Sequence, residues 1–412
     1  GPLYAHEIGE EDHCHPNEEG MGKLGRQLKE FFDDGKPNDS ALIEELKKVE
    51  FNPAEQSEEQ PEDATYNRHW NRVFAKAFEP VDCSEPRDPA TLPQGYYKGP
   101  MIDTHIHLVS LPDAEPGYPE EWYGHDNLGT WRSMAEWVCV FDVEGTKQAF
   151  GFFPVWEPII PESIKAVKRT LEKYPNRFIP FIMPPDDDGA KDGFPTVDAE
   201  TLAEMLGIEA GLFKGYGEIG LYAREDGASA LPPDAQRLTK IYPVIRNNKL
   251  IIYFHLGNDQ GNTLQKVAKA NPDITFIFHG DQLIDCAECD GTPKEVAEIL
   301  ENNPNVYYGI DELYGNTFLM NDDHTKEEFI RHFSDYDKLL KIDLINWKEF
   351  IEEYPDQVIW GTDRGVASRW DLDADVALTL NNYTRAFIGK LDPLVQEKFA
   401  YKNAEKLAGD LS

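Results

Sequence analysis

Positive charge is scarce in this chain: 412 residues carry 76 Asp and Glu against 40 Lys and Arg, a formal net charge of -36 at pH 7. A surface of that sign repels a polyanion at long range, which argues against a protein that grips nucleic acid by neutralising phosphates. Lysine is not depleted (26 Lys, 14 Arg), so the acidity reads as a solubility feature rather than as salt adaptation. Long apolar runs are also missing. No stretch approaches the ~20 residues a membrane-spanning helix needs, and Gly1 to Glu10 carries no signal-peptide pattern. Gly1-Pro2 fits the scar of a protease-removed tag, so a native leader could have been cut away; the compartment, cytoplasmic or exported, stays open. Five cysteines (Cys14, Cys83, Cys139, Cys286, Cys289) are too few for a disulfide scaffold and odd in number. Cys286-x-x-Cys289 has no second pair at zinc-ribbon spacing, which leaves a metal or redox role beside plain loop cysteines or a local disulfide.

What the chain does contain divides in two. Residues 1–98 are rich in charge, Pro, Asn and Gln, with short helices expected over "ALIEELKKV" (41–49) and "RHWNRVFAKAF" (68–78). They hold too few apolar residues for a core of their own and read as an N-terminal extension, partly helical, packing on the main domain at 99–412. From Met101 onward short apolar strands alternate with amphipathic helices. The strand candidates are "MIDTHIH" (101), "EWVCVFDV" (136), "RFIPFIM" (177), "AGLFKGYGEIG" (210), "LIIYFHLG" (250), "ITFIFHG" (274), "VYYGI" (306) and "VIWGTD" (358). Eight such units over this length suit an α/β fold, a (β/α)8 TIM barrel. An open doubly wound sheet could accommodate the same alternation. No Gly-x-Gly-x-x-Gly or P-loop follows any strand, which removes the usual support for a nucleotide-binding sheet.

Barrel active sites lie at the C-terminal ends of the strands. The first strand ends in Asp103-Thr104-His105-Ile106-His107, where a side-chain period of two puts Asp103, His105 and His107 on one face. His255, His279 and Asp363 end the fifth, sixth and eighth strands, each after an apolar run. Lys214 and Glu218, four apart on the fourth strand, share a face by the same rule. A histidine at one strand end is ordinarily a hydrogen-bonded structural residue, and His13-Cys14-His15 shows that His-x-His also arises outside any strand. The joint arrangement is harder to explain that way. Neutral imidazoles with carboxylates are the ligand set of a divalent metal such as zinc, and an open coordination position would hold a water made acidic enough to act at neutral pH.

The motifs "IDTHIH", "FHLG", "FHGDQ" and "IWGTDRG", with "EKYPNRFIPFIMPPD" (172–186) and "KNAEKLAG" (402–409), resemble the amidohydrolase superfamily, in particular its amidohydrolase-2 group of metal-dependent barrel hydrolases and decarboxylases. The likeness spans about residues 101 to 409. It implies that His105, His107, His255 and Asp363 bind metal, that Asp363 takes a proton from the metal-bound water, and that His279 binds a second metal or polarises the substrate. Asp103 would lie one layer deeper, accepting a ring N–H from a ligand histidine or serving only the core. "YGEIGLY" is similar to the Gly-Glu-Ile-Gly of TatD-type hydrolases, whose glutamate bridges two metals, while other binuclear relatives use a carboxylated lysine. Lys214 and Glu218 are about 13 Å apart along a strand and cannot both reach the same metals. Glu218, nearer the strand's C-terminal end, is favoured.

Arg364 and Arg369 beside the eighth-strand aspartate, and Tyr222 with Arg224 after the fourth strand, are the substrate-facing candidates, the guanidinium groups suiting a carboxylate. Arg364 departs from the family's aromatic residue at that place, and a salt bridge to one of the acidic loops would explain it equally. Trp122, Tyr123, His125 and Trp131 could wall the site. The expected function is a metal-dependent hydrolase, with one or two divalent ions, zinc first, whose metal-bound hydroxide cleaves an amide, lactone or ester of a small, carboxylate-compatible substrate. Asp363 and His279 are its expected catalytic residues. The alternatives are a nonoxidative decarboxylase of an aromatic or muconate-type acid, with one metal and Glu218 turned away, and a non-catalytic binding protein on the same barrel. Neither nucleic acid nor membrane is expected as a partner, and a homo-oligomer is compatible with the sequence.

Overall fold

The computed structural model describes residues 61–108, 132–155, 157–184, 194–223, 230–257, 259–280, 293–311, 313, 325–333, 336–365 and 373–409. Eight parallel strands lie in sequential order: β1 (Ile102–His107), β2 (Gln148–Pro154), β3 (Phe178–Met183), β4 (Gly215–Gly220), β5 (Ile251–His255), β6 (Thr275–His279), β7 (Val306–Ile310) and β8 (Val358–Trp360). The helices are α1 (Pro61–Ala77), α2 (Met134–Glu144), α3 (Ile160–Lys173), α4 (Ala199–Ile208), α5 (Gln236–Asn247), α6 (Gly261–Ala270), α7 (Lys294–Asn302), α8 (Lys326–His332), α9 (Tyr336–Glu353), α10 (Ala374–Ile388), α11 (Pro393–Glu397) and α12 (Asn403–Gly409). Together the strands form a nearly closed barrel. The seam is held where the Asp363 N–H donates to the His105 carbonyl at 3.0 Å, the His107 N–H to Arg364 O at 2.8 Å, and the Thr104 hydroxyl to Trp360 O at 2.8 Å. The chain divides into two units between Asn71 and Arg72, within α1, and the barrel belongs wholly to the second. The helix expected over 41–49 lies outside the described residues.

Strands with both faces covered read as continuous apolar runs, and β3, "FIPFIM", is buried throughout. One face of each strand packs outward against the helices. Thus α3 contributes Ile164, Ala166, Val167 and Thr170, and α7 contributes Val296, Ile299 and Leu300, at the three-and-four spacing of a helix face. The other face fills the barrel with Ile102, Phe150, Phe152, Ile179, Phe181, Ile251, Tyr253, Ile277 and Ile359, joined by Ala404 and Leu407 of α12. The Asn403 side chain donates to the carbonyls of Pro355 and Val358, which seats α12 at the N-terminal end of β8.

The second strand departs from the sequence expectation. Residues 136–143 are helical, inside α2, and the strand is "QAFGFFP" at 148–154. A short apolar run does not reveal its period, and local signals decide here. Ser133 caps α2 with a full capping box: its hydroxyl accepts from the Glu136 N–H, and the Glu136 carboxylate accepts from the Ser133 N–H. Gly145, at φ 83°, ends the helix in the left-handed conformation. A disulfide between Cys83 and Cys139 ties the segment preceding β1 to α2, with Cα atoms 5.3 Å apart.

Two strands slip by one residue, and both slips shape the site. Between Asp103 and Ile106 β1 advances three residues while β2 advances two, and between Tyr216 and Ile219 β4 does the same against β5. Such a bulge inverts the inward-outward alternation beyond it. Ile102 and Tyr216, before the slips, face the barrel interior and the helix layer respectively. After the slips His105, His107 and Glu218 face inward.

Candidate metal centre

Seven side chains converge at the C-terminal mouth: His105 and His107 from β1, Glu218 from β4, His255 and His279 from the ends of β5 and β6, Asp311 just past β7, and Asp363 past β8. Adjacent strands bring His255 and His279 into register as direct partners. Glu218 is aimed by the bulge and by Gly217, which has φ +132° and whose Cβ, had it one, would lie 2.3 Å from the Tyr253 carbonyl oxygen. Asp363 sits at φ 51°, a left-handed conformation that costs a non-glycine residue energy and clusters at functional sites. Gly365 beside it leaves space for the His107 carbonyl, 2.1 Å from where a Cβ would stand.

Two groups of ligand atoms result, and one carboxylate spans them. In the first, His105 Nε2 and His107 Nε2 are 3.1 Å apart; Glu218 Oε2 lies 3.3 Å from each, and Asp363 Oδ1 lies 3.2 and 3.0 Å from them. A tetrahedral zinc with ~2.0–2.1 Å bonds has ligand atoms about 3.3 Å from one another, so these four atoms outline such a polyhedron. In the second, the other oxygen of the same carboxylate, Glu218 Oε1, is 2.8 Å from His255 Nδ1 and 2.6 Å from His279 Nε2. Asp311 Oδ2 is 2.9 Å from His105 Nδ1 and 2.8 Å from His279 Nδ1, and His107 Nδ1 faces the Met183 sulfur at 3.3 Å. His105, His107 and His279 are almost wholly buried, while Glu218 and Asp363 keep 13% and 16% of their side-chain surface. The two carboxylates are therefore the groups of this set that solvent or substrate can reach, together with His255 at 18%.

The electrostatics describe a cation site. Burial opposes the charged form of His105, but Asp363 beside it and hydrogen bonds to Asp311 and Glu218 outweigh that and raise it to about 10. His107 and His279 are raised against burial in the same way, by Asp363 and Glu218 and by Asp311 and Glu218 respectively. Burial likewise resists ionisation of Glu218 and Asp311, yet the surrounding imidazoles hold both below the usual carboxylate range. Glu218 and Asp311, both held ionised in one pocket, thus attract positive charge strongly. A divalent cation meets that demand while displacing protons from the imidazole nitrogens, which is how metal affinity couples to pH.

Several sequence expectations are placed differently. Asp103 does not share the histidines' face, because the β1 bulge intervenes. It is buried and accepts from the Thr362 N–H and hydroxyl (3.1 and 2.6 Å) and from the His105 N–H (3.1 Å), so it pins β8 to β1. Lys214 precedes β4, and the β4 bulge separates its face from that of Glu218. Arg364, expected to face substrate, is turned away: alternation past Asp363 sends it under the helix layer, where it is 1% exposed. There its Nε donates to the Thr362 hydroxyl at 3.0 Å and its terminal nitrogen to Glu144 of α2 at 3.1 and 3.0 Å, with Asp103 at 3.6 Å. Tyr222 does stand at the site, its ring 4.6 Å from that of His255. Arg224, Arg369, Trp122, Tyr123, His125, Trp131, Cys14, Cys286 and Cys289 lie outside the described residues. Asp311 is a further member of the site beyond the sequence expectations, and "VYYGID" ends an apolar strand in an acid just as the eighth strand does.

A parallel barrel with histidines and carboxylates gathered at its C-terminal mouth defines an enzyme of the metal-dependent barrel class. The family model described as Amidohydrolase matches residues 102–409, and the chain belongs to that family. It is an enzyme of the amidohydrolase type. No curated protein matches the chain. Among solved structures it is similar to a probable 2-pyrone-4,6-dicarboxylic acid hydrolase from Acinetobacter baumannii (12% identity, 75% of this chain and 99% of that one, TM-score 0.44). It is also similar to dihydroorotase from Campylobacter jejuni (16%, 75% and 83%, 0.41) and to 2,6-dihydroxybenzoate decarboxylase from Rhizobium (12%, 76% and 99%, 0.41). Among the described residues no helix is long and apolar enough to cross a membrane.

Proposed function

We propose that the protein is a binuclear metal-dependent hydrolase that cleaves an amide, lactone or ester bond of a small molecule. The observation that carries this reading is the Glu218 carboxylate, whose two oxygens face two separate sets of imidazole nitrogens. A one-metal decarboxylase would have Glu218 turned away. His105, His107 and Asp363 would hold one ion, His255 and His279 the other, and Glu218 both. The buried, imidazole-rich donor set favours zinc. Divalent ions there would polarise a carbonyl and make a bound water acidic enough to attack it near neutral pH.

The chain's own residues supply the rest. Asp363, partly exposed at the mouth, would take a proton from the attacking water and return it to the leaving group. His279 is engaged at both ring nitrogens, by Glu218 and Asp311, which supports a ligand role over contact with substrate. Tyr222 would wall the substrate side against His255. Arg364 gives no support to a carboxylate-bearing substrate, and that part of the reading rests on Arg224 and Arg369. The net charge of -36 supports a small-molecule rather than a nucleic-acid substrate. Metal analysis of the purified protein, followed by a panel of amides, lactones and esters beside aromatic carboxylic acids, tests the proposal. Two ions per chain with hydrolysis are expected; one ion with carbon dioxide release and no water consumed would replace it with the decarboxylase.

A further inference from the structure

We propose that Asp311 is the positioning residue of both halves of the centre, one carboxylate oxygen orienting an imidazole in each. The inference rests on the reading of the cluster as a binuclear metal site. Asp311 Oδ2 lies 2.9 Å from His105 Nδ1 and 2.8 Å from His279 Nδ1. The two rings stand nearly perpendicular, centroids 4.4 Å apart and planes at 86°, so both can aim an N–H at one atom without clashing. Their opposite nitrogens point the other way: His105 Nε2 toward Glu218 Oε2 and Asp363 Oδ1, at 3.3 and 3.2 Å, and His279 Nε2 toward Glu218 Oε1 at 2.6 Å.

The two nitrogens of an imidazole direct their lone pairs away from each other, so a group seated on Nδ1 is not a ligand of an ion bound at Nε2. Asp311 could join other atoms around a cation on distance alone, but at that ion it would compete for the nitrogens it already faces. With Nδ1–H donated to a carboxylate, that proton is fixed on Nδ1, so Nε2 is the nitrogen left to bind a metal, and its basicity is raised. A backbone carbonyl could do this for a ring on an adjacent strand. Only a side-chain oxygen projecting into the barrel can serve β1 and β6 together. One residue just past β7 therefore sets the tautomer of a histidine in each ligand group.

The test uses zinc alone as the probe. Zinc affinity of the full chain and of Asp311→Asn is measured by competition with a chromophoric chelator, and histidine tautomers are read from ¹⁵N NMR of the zinc-loaded proteins. The amide of the variant lacks the negative charge that both N–H groups face at Oδ2 and, with its NH2 at that place, turns a donor toward both rings, so about 10- to 100-fold weaker zinc binding is expected. Both ions should be affected, and the wild-type spectrum should show His105 and His279 protonated at Nδ1. Affinities within about threefold of wild type, or a loss confined to one ion, overturn the shared role. So does a lower melting temperature of the metal-free variant at unchanged affinity, the mark of a merely structural acid. If the variant does not fold, the wild-type spectrum decides: Nδ1–H at fewer than both rings refutes the proposal. A wild-type chain that binds no zinc fails the metal reading itself, a result separate from all of these.

Discussion

Replacing Glu144 tests whether Arg364 belongs to the scaffold or to the substrate. Arg364 donates to both carboxylate oxygens of Glu144, at 3.1 and 3.0 Å, with each side chain 1% exposed. Removing one partner of a buried pair strands the other charge and costs ~3–5 kcal/mol. Thr362 and the more distant Asp103 still hold part of the guanidinium, so Glu144→Gln should fall near the lower figure, about 3 kcal/mol. For the unit Arg72–Ser412, an unfolding entropy of ~2.1 cal/mol/K per residue turns this into a fall of about 4 °C in Tm. Arg364→Met should cost a similar amount. The double variant should cost clearly less than the two singles together, with a coupling of about 2–3 kcal/mol in a double-mutant cycle. Urea denaturation followed by circular dichroism at fixed pH and salt measures all four corners. A Glu144→Gln cost below about 1 kcal/mol with additive singles, and a raised KM for Arg364→Met, would return Arg364 to the substrate and refute the scaffold reading.

Four further outcomes follow from the same geometry. Asp363→Asn should keep most of the bound metal while lowering kcat by about 10²- to 10⁴-fold, the usual worth of a positioned proton acceptor; unchanged turnover would remove Asp363 from the mechanism. Gly217→Ala forces a Cβ against the Tyr253 carbonyl oxygen at a positive φ, so it should cost roughly 1–3 kcal/mol and lower the metal content as Glu218 loses its aim; a variant with full stability and full metal content would contradict the aiming role. Replacing Cys83 and Cys139 by alanine opens a link across 56 residues, worth about 4 kcal/mol if chain entropy governs it, as denaturant midpoints would show. Stripping the metal with a chelator should abolish activity and lower Tm, by about 2.7 kcal/mol of stability per site at a free metal concentration 100 times Kd, with zinc restoring both; activity that survives complete stripping would exclude the metal from the reaction.

The ends of the strands were the legible part of the site. An apolar run closed by His or Asp says the same thing wherever it occurs, and His105, His107, His255, His279 and Asp363 all meet at the mouth. Asp311, closing the apolar run "VYYGI", obeys the same rule. The directions in which side chains face were less accessible. A period of two assumes an unbroken ladder, and one inserted residue in β1 and another in β4 invert it. Asp103 is thereby taken out of the histidines' row and Glu218 is turned into it, although nothing in "IDTHIH" or "GYGEIG" by itself announces a bulge.

The position of Arg364 has a different origin, and it is tied to that of the second strand. Its partner, Glu144, closes α2, the segment whose apolar run "WVCVFDV" has by itself the look of a strand. Taken as a strand, 136–143 would occupy the barrel wall, and no acid would stand behind β8 to receive a guanidinium. Of the two destinations that the sequence offers Arg364, substrate or a salt bridge, the ion pair is the one seen, and its acid lies on α2 rather than in a loop. Ser133 and Glu136, the capping box of α2, were the local signal that settles the matter. Once they start a helix there, the second strand moves to 148–154, Glu144 falls under the helix layer, and the outward turn of Arg364 follows from the alternation that sends Asp363 inward.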